Sequence, residues 1–319
     1  MQDRDIQALE AARLYYEDGL SQADVAERLR VARPTVSKLI SHARERGFVR
    51  IEIHDPRQVG DDLGRALRER FGLAEVRIAH PQEDSVGTLR EVGRQGALLL
   101  QQLVDDGALL GVTWGETMYA VARSLTPQDR RGVEIVQLKG GRSYTTTSTR
   151  DHETIELFRR AFGGYARLLP LPVIFENPAV KEIVEGDRHL ADVIDLGRRT
   201  QIAIFTVGAV EPEATLFKLG YLSSQEQDIL LEKAAGDLCS HFYDDFGQLA
   251  LPELDARTVG IGIEDLVAKP TRILVATGRR KARALRVALR NGFATHLVTD
   301  NHTAAAVLQE PAGSVTGRA

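Results

Sequence analysis

The 319-residue sequence contains one cysteine, Cys239, and two methionines, and it lacks any apolar run near the roughly 20 residues that a membrane span requires. A single cysteine excludes an internal disulfide framework and a cysteine-based structural zinc site. The first twenty residues have no apolar core of the kind found in secretory signals. We therefore expect a cytoplasmic protein with no membrane partner, no metal site and no bound cofactor.

The sequence also lacks a large excess of either charge. It contains 41 Lys and Arg and 45 Asp and Glu, which give a formal net charge of −4. This balance excludes a globally basic nucleic-acid binder, although a local basic patch remains compatible with it. Residues 28–50 contain seven basic residues and one acid, Glu45. Such segregation indicates either a solvated face or an edge that faces phosphates.

The N-terminal segment has the pattern of two short helices separated by about four residues. Ser21 and Asp24 have the spacing of a capping box at the start of a helix over 22–29. Pro34 suits the first turn of a second helix, which carries a single apolar stripe. This arrangement predicts a helix-turn-helix. The clustered positive charge favours DNA binding over a purely structural three-helix module.

If the second helix enters a major groove, its N-terminal side chains reach the base edges first. The residues expected at this interface for base readout are Thr35, Ser37 and Lys38, next to Pro34. The residues expected on phosphates, which position the protein without specifying sequence, are Ser21, Gln22, Arg33, His42 and Arg44. A short strand over residues 48–55 would form a wing. One such module binds weakly, so useful specificity requires a dimer that reads two half-sites.

From residue 56 onward, short apolar runs alternate with helical stretches. The predicted strands are 75–79, 108–112, 133–138, 201–207, 258–263, 272–277 and 295–299. The predicted helices are 61–72, 86–105, 152–162, 223–235 and 279–290. This alternation is typical of an α/β fold with a parallel sheet covered on both faces. The domain boundaries predicted are 1–55 for the helix-turn-helix DNA-binding domain and 56–319 for a domain that binds ligand and oligomerises.

Three of the predicted strands end in glycine with hydroxyl or basic neighbours, at residues 113–117, 139–143 and 278–281. Ligands of parallel α/β sheets bind beyond the carboxyl ends of the strands. Glycine lets a backbone approach a ligand, and N–H groups at a helix start can hold a phosphate, although each glycine alone is as consistent with a simple turn. Three such ends in one sheet favour a phosphorylated ligand. None of them is a Rossmann fingerprint or a Walker loop.

Four segments together resemble the SorC family of bacterial sugar-responsive transcriptional regulators, over about residues 8–309. These segments are RPTVSKLISHARERGFV, GVTWGET, GDLCSHFYDDFG and VATGRRKARALRVALRNGFATHLVTD. The resemblance implies an effector domain similar to the sugar-phosphate isomerase fold of glucosamine-6-phosphate deaminase. It also implies a homo-oligomer, a dimer or more usually a tetramer, that binds double-stranded operator DNA and responds to a phosphorylated sugar effector. Of the two signs of regulation, repressor and activator, we favour a repressor.

The resemblance also implies an effector site. Its members by this comparison are Thr113, Trp114, Gly115 and Thr117 around the phosphate loop, Gln137, Lys139, Gly140 and Gly141 beside the sugar, Asp237 near the pocket, and Gly278 with the phosphate lysine Lys281. Glu116 departs from the small or basic residues often found in that loop, because its carboxylate would repel a phosphate unless it points away. The catalytic carboxylate–histidine set of the deaminases has no match, which disfavours an enzyme.

Lys139 narrows the choice of sugar. The deoxyribonucleoside regulators of the family have QLKGG-like sequence, and residues 137–141 of this chain are QLKGG. A partly desolvated lysine has a lowered pKa and can attack the aldehyde of an open-chain sugar to form an imine, and deoxyribose 5-phosphate would suit such a site. A charged partner for a phosphate or carboxylate, or a solvated lysine, are the alternatives. A regulator with another, non-covalent sugar phosphate and an isomerase- or deaminase-like enzyme also remain open.

Overall fold

The computed structural model of the chain describes residues 3–49 and 56–309. The chain divides into two compact units, Met1–Asp55 and Pro56–Ala319, and each is described by itself. Of the wing predicted over residues 48–55, residues 50–55 lie outside the described residues. Within the described part of the chain, no helix combines the length and apolar character needed to cross a membrane.

The first unit consists of the helices α1 (Asp3–Tyr16), α2 (Gln22–Leu29) and α3 (Arg33–Glu45). The capping box forms as the sequence predicts, because Ser21 Oγ accepts a hydrogen bond from the Asp24 backbone and the Asp24 carboxylate accepts one from the Ser21 backbone. Arg30 ends α2 in the left-handed conformation, with a φ of 55°. Glycine commonly occupies this position at the end of a helix. Arg30 adopts the same left-handed conformation, so the turn of the helix-turn-helix forms without a glycine. The buried faces of all three helices form one apolar core.

The described part of the second unit, residues 56–309, contains ten strands. They are β1 (Glu75–Ala79), β2 (Leu109–Val112), β3 (Glu134–Gln137), β4 (Tyr165–Arg167), β5 (Ile202–Phe205), β6 (Val207–Gly208), β7 (Gly236–Leu238), β8 (His241–Tyr243), β9 (Thr271–Val275) and β10 (His296–Asp300). Seven form a parallel sheet in the order β1-β10-β9-β5-β2-β3-β4, and the other three form a small sheet in the order β6-β7-β8. The seven-stranded parallel sheet confirms the α/β fold class.

Helices cover both faces of the large sheet. They are α4 (Pro56–Phe71), α5 (Ser85–Leu103), α6 (Glu116–Ser124), α7 (Asp151–Phe162), α8 (Pro178–Glu185), α9 (Arg188–Arg199), α10 (Thr215–Lys218), α11 (Ser224–Lys233), α12 (Pro252–Asp255), α13 (Ile263–Val267), α14 (Ala282–Arg290) and α15 (Asn301–Gln309), with a 3-10 turn over Arg279–Lys281 before α14. Successive residues of one strand, such as Ile204 and Phe205, pack into different core clusters. The central strands are therefore buried on both sides, which explains their continuous apolar sequence.

The predicted strand over residues 258–263 is wrong. Thr258 and Gly260 make only isolated bridges, to Ile174 and Lys139, and α13 begins at Ile263. Gly260 has a φ of 126°, and a Cβ added there would lie 2.3 Å from the carbonyl oxygen of Leu138. The apolar residues of this segment are buried because the chain packs against the end of β3, so their alternation imitates that of a strand.

Candidate functional site

The exposed start of α3 is the first candidate surface. Its exposed residues are Arg33, Pro34, Thr35, Ser37 and Lys38. Val36 between them is fully buried, and the apolar face to which it belongs fixes the helix against the core of the first unit. This burial turns the hydroxyl and basic side chains outward. Such side chains at the start of a helix are of the kind that contact base edges and phosphates in a major groove.

The remaining residues predicted to contact DNA have internal partners to differing degrees. Ser21 is exposed, but its hydroxyl belongs to the capping box of α2. Gln22 is half-buried and Arg44 is exposed, with its guanidinium 3.5 Å from Ser41 Oγ. His42 is different, because its Nε2 lies 2.9 Å from Oδ1 of the buried Asp5 in α1. His42 therefore helps to pack α3 on α1, and its phosphate contact stays a prediction.

The second candidate site lies at the carboxyl ends of β2, β3, β5 and β9. We call it the strand-end cluster, and it consists of Thr113, Trp114, Gly115, Thr117, Lys139, Thr206, Asp237, Ser240, Gly278 and Lys281. Lys281 joins three of the strand ends, because its Nζ lies 3.3 Å from Thr117 Oγ1 and 3.2 Å from Thr206 Oγ1. Burial lowers the pKa of Lys281 to about 8, and the charges of Asp237 and Glu116 act in the opposite direction.

Two glycines leave open space beside Lys281. Gly115 has a φ of 131° and Gly278 a φ of 103°, and a Cβ added at either would meet no atom within 4 Å. α6 begins directly after Gly115 without a side-chain cap, so the N–H groups of its first turn have no acceptor within the helix. The hydroxyl of buried Thr113 also has no hydrogen-bond partner among the described residues. These donors, together with a lysine, suit an anion such as a phosphate.

Lys139 occupies a buried position at the end of β3, with only 6% of its surface exposed. Its Nζ lies 3.2 Å from Ser240 Oγ and 3.8 Å from the centre of the Trp114 ring. Burial lowers the pKa of Lys139, against the opposing charge of Asp237. No carboxylate in the described part of the chain forms an ion pair with this amine. A desolvated amine without an anionic partner is the form of lysine that attacks carbonyl groups.

Asp237 and Ser240 reach the cluster from the hairpin of β7 and β8. The Ser240 N–H donates a hydrogen bond of 3.2 Å to Asp237 Oδ2. Burial raises the pKa of the Asp237 carboxyl, while the charges of Lys139 and Lys281 lower it. Gly208 in β6 leaves the room that this carboxylate occupies, since a Cβ added there would lie 1.7 Å from Asp237 Oδ1. The Asp237 carboxylate thus acts electrostatically on both lysines of the cluster, although it forms no ion pair with either among the described residues.

Three residues of the expected effector site, Gln137, Gly140 and Gly141, have close contacts within the protein. Gln137 Nε2 donates to the carbonyl of Lys139 at 2.9 Å, and its Oε1 accepts from the Leu169 N–H at 3.1 Å. A Cβ on Gly140 would lie 2.0 Å from the carbonyl oxygen of Pro172, and one on Gly141 would lie 2.3 Å from an Asp151 carboxylate oxygen. These two glycines permit close packing of the loop after β3, and their position beside the sugar stays a prediction.

Sequence reasoning missed Thr206 and Ser240. Thr206 lies between β5 and β6, inside a run that the apolar pattern predicted as one uninterrupted strand. Ser240 lies in the segment GDLCSHFYDDFG, in which only Asp237 was singled out. The sequence signal that could have found Thr206 and Ser240 is that each is a small polar residue near the end of a short apolar run. It becomes specific only once the topology of the sheet is known.

The chain matches two known protein families. Residues 58–309 match the family described as "Putative sugar-binding domain", and residues 3–50 match the family described as "Homeodomain-like domain". The first match spans most of the second unit and contains every member of the strand-end cluster. The second match contains the whole helix-turn-helix, including the exposed start of α3.

Individual relatives cover nearly the whole chain. The deoxyribonucleoside regulator of Bacillus subtilis (strain 168) is 44% identical over 311 residues, which are 97% of this chain and 99% of that protein. The crystal structure of the full-length sorbitol operon regulator SorC from Klebsiella pneumoniae is 25% identical, with a TM-score of 0.74 over 97% of this chain and 100% of that one. The crystal structure described as "a domain of a possible sugar-binding transcriptional regulator from Arthrobacter aurescens TC1" is 29% identical, with a TM-score of 0.72 over 80% of this chain and 99% of that one.

Proposed function

The chain belongs to the SorC family of DNA-binding transcriptional regulators with a sugar-binding domain, and from this premise we propose that it is a repressor controlled by a phosphorylated aldose, with deoxyribose 5-phosphate as the effector. The observation that carries the proposal is the buried amine of Lys139 beside the hydroxyl of Ser240. Support for deoxyribose 5-phosphate as the effector comes from the relative named as a deoxyribonucleoside regulator.

Operator DNA is bound through the exposed start of α3. Thr35, Ser37 and Lys38 contact base edges, and Arg33 and Arg44 contact phosphates on either side. A single helix-turn-helix offers few contacts, so the active form is a homo-oligomer, a dimer or tetramer, that reads two half-sites. The effector and the operator each prefer one arrangement of the same oligomer. Binding of the effector therefore changes the affinity for the operator, and binding of the operator changes the affinity for the effector by the same factor.

The phosphate of the effector binds between the loops after β2 and β9. Lys281 supplies the charge, while Thr113, Thr117 and the N–H groups at the start of α6 supply hydrogen bonds. The open space at Gly115 and Gly278 admits the phosphate oxygens close to the backbone. Asp237 and Lys139 then face the sugar end of the molecule.

The aldehyde of the open-chain sugar reacts with Lys139. The neutral amine adds to the carbonyl carbon to give a carbinolamine, which loses one water to leave an imine, so no oxidant or reductant is required. Release of the effector is the reverse hydrolysis. The protein acts as a receptor and not as an enzyme, so the bound sugar is returned unchanged.

The test is the intact mass of the full chain after borohydride reduction in the presence of aldose and ketose phosphates. An adduct with deoxyribose 5-phosphate that maps to Lys139 is the expected result. Absence of an adduct with every sugar would refute the imine, and effectors that bind non-covalently would then be sought by their effect on operator binding. Steady conversion of any sugar phosphate to product would refute the receptor role.

A further inference from the structure

The turn between β7 and β8 has an unfavourable backbone at two consecutive residues. Cys239 has a φ of 52° and Ser240 a φ of 73°, so both lie in the left-handed region that favours glycine and asparagine. Both residues are buried, with 2% and 0% of their surface exposed. A strained, buried turn that lacks the residues suited to it indicates that a side chain in the turn has a separate role.

Ser240 contacts two of the three ionisable side chains of the cluster, Lys139 and Asp237. Its hydroxyl lies 3.2 Å from Lys139 Nζ, while its backbone N–H donates to the carboxylate of Asp237 at 3.2 Å. The turn conformation allows both contacts at once, because it directs the N–H and the hydroxyl of one residue to different neighbours. In the described part of the chain, Ser240 Oγ is the hydrogen-bonding partner of the Lys139 amine.

We propose that Ser240 is the proton-transfer residue for imine formation at Lys139, held in place by Asp237. This inference rests on the proposed reaction of an aldehyde with Lys139. Cys239, the other residue of the turn, has no such role, because burial raises the pKa of its thiol to about 12 and its contacts are with the apolar core.

The transfer can be written with all atoms accounted for. When Nζ adds to the aldehyde carbon, the Ser240 hydroxyl accepts a proton from nitrogen and gives its own proton to the developing alkoxide. In the second step the same hydroxyl accepts the remaining proton of the nitrogen and gives its own proton to the carbinolamine oxygen. That oxygen leaves as water, and a lone pair of the nitrogen forms the C=N bond. Ser240 ends as a neutral hydroxyl, and the products are one imine and one water.

A comparison of Ser240→Gly with Cys239→Gly separates this role from that of the turn. Both variants remove a side chain from a left-handed position, and both relieve backbone strain, so both are expected to fold. Only the first removes the hydroxyl. The measurement is the rate at which full-length protein and deoxyribose 5-phosphate form an adduct, with samples reduced by borohydride at successive times and read by intact mass.

Ser240→Gly is expected to slow adduct formation by about 100-fold, a typical contribution of a positioned acid–base group. Cys239→Gly is expected to react at the rate of the unchanged protein. The difference in rate between Ser240→Gly and the unchanged protein should grow as the pH rises. In the variant, hydronium must replace the serine hydroxyl as proton donor, and its concentration falls with rising pH. Glycerol 3-phosphate, which has no aldehyde, should bind all three proteins equally.

Each other outcome overturns the inference in a distinguishable way. An unchanged rate in Ser240→Gly shows that the hydroxyl does not transfer the proton. Equal slowing in both variants assigns the effect to the shape of the turn. If the unchanged protein itself forms no adduct, the imine at Lys139 and the role of Ser240 fail together, while operator binding tests the regulator function separately.

Discussion

The indole Nε1 of Trp114 donates a hydrogen bond of 2.7 Å to the carbonyl oxygen of Gly140. This contact ties the loop after β2, which carries the phosphate-binding groups, to the loop after β3, which carries Lys139. The ring that makes it also lies under the Lys139 amine, 3.8 Å from Nζ. Trp114 therefore fixes the separation between the two ends of the proposed effector site and excludes water from the amine.

The rate of adduct formation should rise with pH and level off below the 10.5 of an ordinary lysine. Burial disfavours the ammonium form of Lys139 and so lowers its pKa, and only the neutral amine attacks an aldehyde. Above the lowered pKa the amine is fully neutral and a further increase in pH has no effect. The measurement is the initial rate between pH 6 and about pH 11. A rate that continues to climb to 10.5 would show that Lys139 titrates like a surface lysine.

Lys139→Met should abolish the adduct and raise the stability of the fold. The amine forms no ion pair among the described residues, and burial outweighs the attraction of Asp237 in lowering its pKa, so its replacement by an apolar side chain of similar length removes a net desolvation cost. The expected gain is about 1 kcal/mol, measured by urea unfolding at pH 7. The gain should shrink as the pH approaches 10.5, since the unmodified lysine then becomes neutral in both the folded and the unfolded state. A loss of stability would instead support a structural electrostatic role for this lysine.

Lys281→Met should weaken binding of the phosphorylated effector and leave effector-free operator binding unchanged. Removal of one charged hydrogen-bond donor costs about 2 kcal/mol, which corresponds to roughly a 30-fold loss of affinity. Glu116→Gln serves as the control of opposite sign, because removal of a nearby negative charge should tighten phosphate binding. Calorimetric titration with glycerol 3-phosphate measures both. Parallel losses of effector and operator binding would refute the assignment of Lys281.

Lys38→Ala should weaken specific operator binding by about 1–3 kcal/mol, the range for loss of one good base contact. Lys38 is exposed at the start of α3. Effector binding should be unaffected. The measurement is a competition assay with an operator duplex at several salt concentrations, and an unchanged affinity would remove Lys38 from the interface.

His42→Ala should have a different effect, because its imidazole contacts Asp5 within the first unit. Loss of a partner of this buried carboxylate should lower the stability of the unit by about 2 kcal/mol. The dependence of DNA affinity on salt should keep its slope, since no phosphate contact is lost. Thermal unfolding and the salt series together check this. A reduced slope with unchanged stability would restore His42 to the phosphate contacts.

Gly140→Ala should destabilise the second unit by about 3 kcal/mol, a cost typical of a tightly packed site that is forced to accept an extra methyl group. The new Cβ would lie 2.0 Å from the carbonyl oxygen of Pro172. Gly262→Ala is the matched control, because its φ is −72° and a Cβ there meets nothing within 4 Å. Its effect on the unfolding midpoint should be small. Equal midpoints for both variants would contradict the packing role of Gly140.

The sequence determined the local structure and the positions of the two lysines. The capping box at Ser21, the early Pro34 and the apolar stripe of α3 act over one or two turns, so they are visible in the sequence and define the helix-turn-helix. Apolar runs that alternate with helices likewise specify a parallel sheet. Because the carboxyl ends of parallel strands share one edge, Lys139 and Lys281 could be assigned to a common site before the structure was known.

Tertiary structure alone decided which side chains meet those lysines. Ser240 is 101 residues from Lys139 along the chain, and Thr117 is 164 residues from Lys281. The burial of Gly140 against Pro172 and the contact of His42 with Asp5 likewise depend on how separate elements pack. Periodicity in a sequence records whether a residue is buried, but not what it is buried against. The order of the strands determines those contacts, because it decides which loops share the edge where the site forms.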